Sequence, residues 1–274
     1  MDYFELTVDL KTVEPWRDIL IAELAETGFE SFVETNSGFL GYIPENLYKP
    51  EMIEPVLQIE SVETYTFKKI EDQNWNATWE QNFEPVFVDQ KLAIVAPFHE
   101  VPQGFEQVIT IMPKMSFGTG HHQTTWLASR ALFDLDLKNK NMLDMGTGTG
   151  ILAILAEKLG AASIFAPDID TWSFENAQEN CATNACSKIE IALGGAELLA
   201  GKNFHIILAN INKNVLIQQF SVYSSSLPSG GILLISGFFE TDRDQLVDEA
   251  QKHGFKFEKM DTREGWALIH FTKK

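Results

Sequence analysis

Positive charge is what this sequence has least of. Its 274 residues carry 21 Lys and Arg against 39 Asp and Glu, a net charge of -18 and a pI near 4.7. A surface that negative repels phosphate backbones and anionic headgroups, so nonspecific nucleic-acid binding and membrane attachment are poor expectations. It suits small molecules or a basic partner. Cysteine is scarce as well: Cys181 and Cys186 alone supply neither a disulfide framework nor a four-cysteine zinc site. The longest uncharged run, 214–239, holds Gln218, Gln219, a triple serine at 224–226, Pro228 and Gly230-Gly231. It reads as helix, loop and strand, and no membrane span is expected. Met1 to Glu5 lack the basic-then-apolar layout of a signal peptide, which leads to the expectation of a cytoplasmic protein. No internal repeat or low-complexity tract is visible. What is there is ordinary globular composition, 45% apolar and 11% aromatic, in a length that fits one large domain or two ordinary ones.

The first 65 residues alternate short elements. Residues 3–10 alternate like a strand, 15–26 form an amphipathic pattern opened by Pro15 and stopped by Gly28, and 29–34 and 39–43 read as two strands. A second helix is expected over 51–59, interrupted by Pro55, and another strand over 62–70. This order predicts a small α+β domain of ferredoxin-like pattern at 1–65. Residues 66–84 read as a linker, with Trp75, Trp79 and Phe83 on one stripe of a connecting helix. From 85 to 274 a hairpin (86–88, 91–96) and a strand (107–112) precede a regular alternation of strands and helices. That alternation predicts a parallel, Rossmann-like α/β sheet.

The strongest chemical signal lies at 141–155, NMLDMGTGTGILAIL. A strand ends at Met145, glycines alternate at Gly146, Gly148 and Gly150, and an apolar helix follows. Alternating glycines let the backbone turn sharply and bring its N–H groups against a ligand at a helix N-terminus. A second strand ends in Asp168-Ile169-Asp170, about where a Rossmann acid takes ribose hydroxyls. Together these point to an adenosine-containing cofactor. Gly148, Gly150 and Ala153 also satisfy G-x-G-x-x-A, which keeps a nicotinamide dinucleotide and an oxidoreductase as the alternative. Asp144 tilts the choice. Its carboxylate is unfavourable beside a pyrophosphate and suits the cationic amino group of S-adenosylmethionine, unless it only braces loop N–H groups.

Two further pieces complete the set. Residues 206–211, IILANI, run as a strand into Asn210. An Asn at that end of a parallel strand sits in the ligand crevice and can accept a hydrogen bond from an amine, although capping is the commoner role for such an Asn. Residues 116–125, SFGTGHHQTT, put two tight-turn glycines and a histidine pair before a helix expected over 126–134. The two histidines diverge, and no third ligand stands at i+4, so no metal is expected. Cys181 and Cys186 read as partly buried thiols.

FGTGHHQTT at 117–125, LDMGTGTGILAILAEKLGA at 143–161, DID at 168–170 and LANI at 208–211 stand in the order seen in the PrmA-type ribosomal protein methyltransferases, which the chain resembles. The resemblance covers about residues 65–274 well, and the first 65 by pattern only. It implies a class I methyltransferase domain with S-adenosylmethionine as donor. The acceptors it implies are lysine and N-terminal amino groups of the eleventh large-subunit ribosomal protein. By motif position it places Thr125, Gly146 and Gly148 at the cofactor, Asp168 on the ribose hydroxyls and Asn210 at the methyl-transfer face. Pro167 departs from the pattern by removing a backbone donor, so Asp168 and Asp170 both stand as ribose acids, Asp168 first. A nucleic-acid amino methyltransferase on the same core is a further alternative, weakened by the absence of a basic stripe. The expected enzyme is a monomer without direct nucleic-acid specificity or membrane attachment.

The charge is uneven. Residues 1–70 hold 5 Lys and Arg against 14 Asp and Glu, a net of -9, and the other 204 hold 16 against 25, also -9. Half of the excess lies in a quarter of the chain, on the domain expected to meet a lysine-rich substrate.

Overall fold

The computed structural model describes residues 3–70, 83–114 and 116–274. The chain divides into two compact units, 1–82 and 83–274. Trp75 and Trp79 of the expected aromatic stripe lie outside the described residues.

In the first unit β1 (Tyr3–Leu10), α1 (Trp16–Ala25), β2 (Ser31–Glu34), β3 (Gly38–Pro44), α2 (Pro50–Leu57) and β4 (Val62–Ile70) follow the expected order. The strands form one antiparallel sheet, β2-β3-β1-β4. Each helical crossover skips one strand, which is the split βαβ arrangement. Period-2 alternation sends Leu6, Val8 and Leu10 of β1 inward. They meet Leu20 and Leu24 of α1 and Ile53 and Leu57 of α2, each pair four residues apart on one helical face. Pro50 opens α2 at its first position, where a missing N–H costs nothing, and Pro55 lies inside its last turn. Residues 66–70, assigned to a linker from sequence, are the second half of β4 and pair with β1 as far as Ile70.

The second unit begins with β5 (Val86–Val88), β6 (Leu92–Val95) and β7 (Gln107–Thr110), which form a three-stranded sheet of their own. Then come α3 (Gln123–Leu132), β8 (Asn141–Met145), α4 (Ile151–Lys158), β9 (Ser163–Asp168), α5 (Thr171–Thr183) and β10 (Ile189–Leu193). After these follow β11 (Ile206–Asn210), α6 (Lys213–Ser225), β12 (Ile232–Phe239), α7 (Arg243–Lys252), β13 (Phe255–Arg263) and β14 (Trp266–Lys273). The sheet order is β10-β9-β8-β11-β12-β14-β13. Its central strands are buried almost throughout, as expected where helices cover both faces. Alternate residues feed two cores: Met142, Ile206 and Leu208 pack with α3 and α4, whereas Leu143, Ile207 and Ala209 pack with α6 and α7.

A parallel sheet from 85 to the end is too simple a picture. β10 through β12 are parallel, but β14 is antiparallel to both β12 and β13. The cause is local: Arg263 pairs with Trp266 across Glu264-Gly265, both at positive φ (+50° and +79°), a two-residue turn that reverses the chain. Between β8 and β11 the connections change direction, and the loops that follow these two strands part to leave a crevice.

Candidate active site

That crevice opens into a cavity of about 490 Å³ whose wall includes Gly146, Gly148, Asp168, Asn210 and Trp266. Gly146, Gly148 and Gly150 all take left-handed backbone, with φ of +71°, +57° and +83°. Space decides the residue as much as φ does. A Cβ at 148 would lie 2.2 Å from the Phe117 carbonyl oxygen, and one at 146 would lie 2.4 Å from Ile211 Cγ2.

The loop N–H groups do not face a ligand as expected. Gly146 and Thr147 donate to the Pro167 carbonyl (3.0 and 3.3 Å), Gly148 to Asp168 Oδ2 (2.8 Å), Thr149 to Phe117 O (2.9 Å) and Gly150 to Thr147 O (2.9 Å). The protein consumes each donor that a pyrophosphate would need at this turn. Pro167, which cannot donate, is used for its carbonyl.

Asp144 sits behind this loop and does not line the cavity. It is 1% exposed, and its Oδ2 accepts from Thr147 Oγ1 (2.6 Å) and from the Ala153 N–H in the first turn of α4 (3.2 Å). Burial pushes its pKa up to about 6; the Thr147 and Ala153 hydrogen bonds oppose the shift, and the Asp168 charge adds to it. The bracing role, rather than direct contact with a cationic amino group, is the arrangement found. The start of α4 therefore already holds a carboxylate, which removes the anion site that a dinucleotide would require.

Asp168 and Asp170 separate cleanly. Asp168 lines the cavity, and each carboxylate oxygen accepts one backbone N–H, Oδ2 from Gly148 and Oδ1 from Asp170 (3.0 Å). A carboxylate oxygen so held keeps a second lone pair. Asp170 caps α5, its Oδ1 accepting from Trp172 N (2.7 Å) and Ser173 N (3.2 Å).

Asn210, at the end of β11, is free of capping duty because Asn212 caps α6 through Asn214 N (2.9 Å). Asn210 lines the cavity, and its Oδ1 is buried without a hydrogen-bond partner among the described residues. A second orphaned oxygen belongs to Thr125, which is fully buried in α3 and does not line the cavity. Its neighbour Thr124 does line it, one helix position away. α3 itself starts three residues before the expected 126, because His122 caps it by accepting from Thr124 N (3.2 Å) and from the Thr124 hydroxyl (2.8 Å). Burial lowers the His122 pKa, so the ring is neutral at neutral pH. His121 turns away to the Glu84 carbonyl (3.0 Å). Among the described residues no cluster of three ligating side chains could hold a metal.

Several wall residues escape sequence reasoning. Trp266 packs edge-on against His122 (4.5 Å between ring centres) and tilted on Phe239 (4.2 Å). Its position depends on the terminal hairpin, which no local pattern announces. Ile169, 79% exposed beside Asp168, lines the opposite end with Gly194. Gly237 carried a usable signal, a lone glycine inside a strand pattern. It marks the bulge between Ser236 and Phe238, and a Cβ there would lie 2.3 Å from the Ile211 carbonyl oxygen.

Comparison with known proteins gives a consistent set of relatives. The profile of a family described as "Ribosomal protein L11 methyltransferase (PrmA)" matches residues 21–274. A ribosomal protein L11 methyltransferase of Porphyromonas gingivalis is 42% identical over 98% of this chain and 96% of that protein. The one of Bacteroides fragilis is 40% identical over 99% of both. Among solved structures, the ribosomal protein L11 methylase of Lactobacillus delbrueckii subsp. bulgaricus superimposes with a TM-score of 0.64 at 28% identity, covering 70% of this chain and all of that one.

Proposed function

The chain belongs to the ribosomal protein L11 methyltransferase (PrmA) family, and on that premise we propose that it transfers methyl groups from S-adenosylmethionine to amino groups of ribosomal protein L11. The observation that carries the reading is the Asn210 Oδ1, a buried acceptor in the wall of the cavity with no partner among the described residues. An amine acceptor, neutral at the moment of reaction, has N–H groups to give such an oxygen and a lone pair to aim elsewhere. A carboxylate at the same point would hold the amine protonated.

The residues also fit the donor. When bound, S-adenosylmethionine supplies a methyl group on a positively charged sulfur, open to in-line attack by an amine. The spare lone pairs of Asp168 would take the ribose hydroxyls, and Gly146 and Gly148 would line the donor's place. Thr124, which lines the cavity next to the buried Thr125, would stand at the α3 side of the bound donor. The consumed N–H groups of the 146–150 loop disfavour a dinucleotide and with it the oxidoreductase alternative.

Nothing in this chemistry needs a covalent intermediate. The protein contributes alignment, which supplies roughly 7–11 kcal/mol in favourable cases. It also contributes a desolvated pocket. A free lysine, with a pKa of about 10.4, is neutral in only about one in 2,500 molecules at pH 7, and an apolar wall raises that fraction. The acidic first unit, net -9 over residues 1–70, is the part that meets the basic substrate. The enzyme acts as a monomer in the cytoplasm and does not read nucleic acid directly.

The test is incubation of the protein with tritiated S-adenosylmethionine and ribosomal proteins stripped of rRNA, followed by identification of the labelled band and its labelled amino groups. Label on ribosomal protein L11 lysines or its N-terminus is expected. Label only on nucleic acid, or none with verified cofactor binding, overturns the proposal.

A further inference from the structure

The wall of the cavity farthest from the ribose acid has an unusual support. Asp168 stands on β9, Asn210 on β11 and Trp266 on β14, so Trp266 is two strands beyond Asn210 on the side away from Asp168. With about 4.8 Å between strands, Asp168 and Trp266 stand on strands roughly 19 Å apart, so a donor with its ribose at Asp168 leaves the β14 side to the acceptor. Trp266 follows directly on the Glu264-Gly265 turn. Its partner in the wall, His122, directly precedes Gln123.

Gln123 does not line the cavity. It reaches from the first position of α3 to the hairpin: its Oε1 accepts from Arg263 Nε (2.5 Å) and its Nε2 donates to Glu264 Oε2 (2.8 Å). The Arg263 guanidinium lies 4.1 Å from the centre of the Trp126 ring, and the Trp126 indole N–H donates to the Phe87 carbonyl (3.0 Å). One amide thus uses its acceptor and its donor on two adjacent, oppositely charged residues of a turn whose non-glycine member, Glu264, sits at φ +50°. That turn is the hinge between β13 and the tryptophan of the wall.

We propose that Gln123 is a positioning residue for the methyl acceptor, its side chain clasping Arg263 and Glu264 so that His122 and Trp266 form one fixed wall. The inference rests on the methyltransferase reading for its kinetic arm and on geometry alone for its spectroscopic arm. Because Glu264 is exposed, the clasp contributes little to global stability. Its effect is on where the Trp266 ring stands.

The experiment compares Gln123→Leu, Gln123→Glu, Glu264→Gln and the double variant Gln123→Glu with Glu264→Gln. The double variant exchanges donor and acceptor across the contact and keeps the acceptor for Arg263, so it restores a complementary pair. Three quantities are read: kcat and KM for ribosomal protein L11, the Kd of S-adenosylhomocysteine, and the Trp266 indole N–H resonance, assigned through Trp266→Phe. Gln123→Leu is expected to lower kcat/KM for the acceptor roughly ten- to a hundredfold, the scale of a misplacement on the order of 1 Å. The Kd should stay within about twofold, since the cofactor half is not touched. The indole resonance should shift and broaden in Gln123→Leu and Gln123→Glu and return in the double variant. An unmoved resonance, unchanged acceptor kinetics, or no recovery in the double variant overturns the proposal. If the wild type methylates no ribosomal protein, the functional reading has failed, and the resonance alone still decides the clasp. Should Gln123→Leu not fold, Gln123→Glu and the double variant decide it on the same readouts.

Discussion

Asp168 and Asp170 are two residues apart and carry the same charge, so exchanging each for its amide is a controlled comparison. Asp168→Asn leaves one carbonyl oxygen where two backbone N–H groups, from Gly148 and Asp170, now find acceptors. The amide nitrogen must face one of them, donor against donor. The ribose loses an ionised acceptor at the same time. Replacing one charge-assisted hydrogen bond costs about 1.5–3 kcal/mol, or roughly 10- to 150-fold in affinity. The unsatisfied N–H adds a further cost on the order of 1–3 kcal/mol to the loop itself, because Gly148 is held at φ +57° partly by that bond. Asp170→Asn removes the same unit of charge, but its oxygen still caps α5, and Asn caps a helix about as well as Asp. Titration calorimetry with S-adenosylhomocysteine, paired with thermal melts, should show a large loss of affinity for Asp168→Asn and affinity within about threefold of wild type for Asp170→Asn. Equal losses would mean that general electrostatics, not the placement of Asp168, controls binding. An intact Kd for Asp168→Asn would remove it from the ribose site.

Asn210→Ala should leave cofactor affinity within a few-fold and strongly reduce turnover, checked by calorimetry alongside a methyl-transfer assay; unchanged turnover removes Asn210 from the mechanism. Asp144 makes a pH prediction. Its carboxyl ionises near pH 4 in the unfolded chain and near 6 when folded, so the folded state holds the extra proton between those values. Stability contributed by this site is therefore present near pH 4, is lost as pH rises toward 6, and stays lost above, by an amount on the order of 3 kcal/mol. Urea denaturation of wild type against Asp144→Asn should show the variant gaining on the wild type across that window, and a pH-independent difference would refute the burial argument. The acidic first unit predicts that the association rate with ribosomal protein L11 falls between low and moderate salt, measured by stopped flow, while S-adenosylhomocysteine affinity holds. A salt-independent rate ends the steering idea.

What the sequence made legible is what local physics controls. The alternating glycines, the strand before them and the acid after β9 are short-range features, and the structure brings Gly146, Gly148, Asp168 and Asn210 to one cavity. The ferredoxin-like unit was readable for the same reason, since its periodicities change from 2 to 3.6 within a few residues. Three things were not readable. The destination of the loop N–H groups depends on Pro167 and Phe117, which are remote from the loop in sequence. The separation of Asp168 from Asp170 depends on where α5 begins, since the capping acid looks the same as the binding acid until the helix is placed. Trp266 belongs to the site only because a two-residue turn folds β14 back, and a turn of Glu-Gly gives a weaker hairpin signal than Asn-Gly.

The place of β14 in the sheet has a consequence for the order in which the protein can come into being. β13 is made before β14, yet among the described residues it has no neighbour in the sheet except β14, and β12 has no other partner on that side. During synthesis both wait with open edges for a strand that inserts between them. A nascent chain that stops short of Trp266 already carries the glycine loop, Asp168, Asn210 and the strands from β10 to β12. It lacks the acceptor wall. The acceptor half of the site is therefore finished only when the wedge strand goes in.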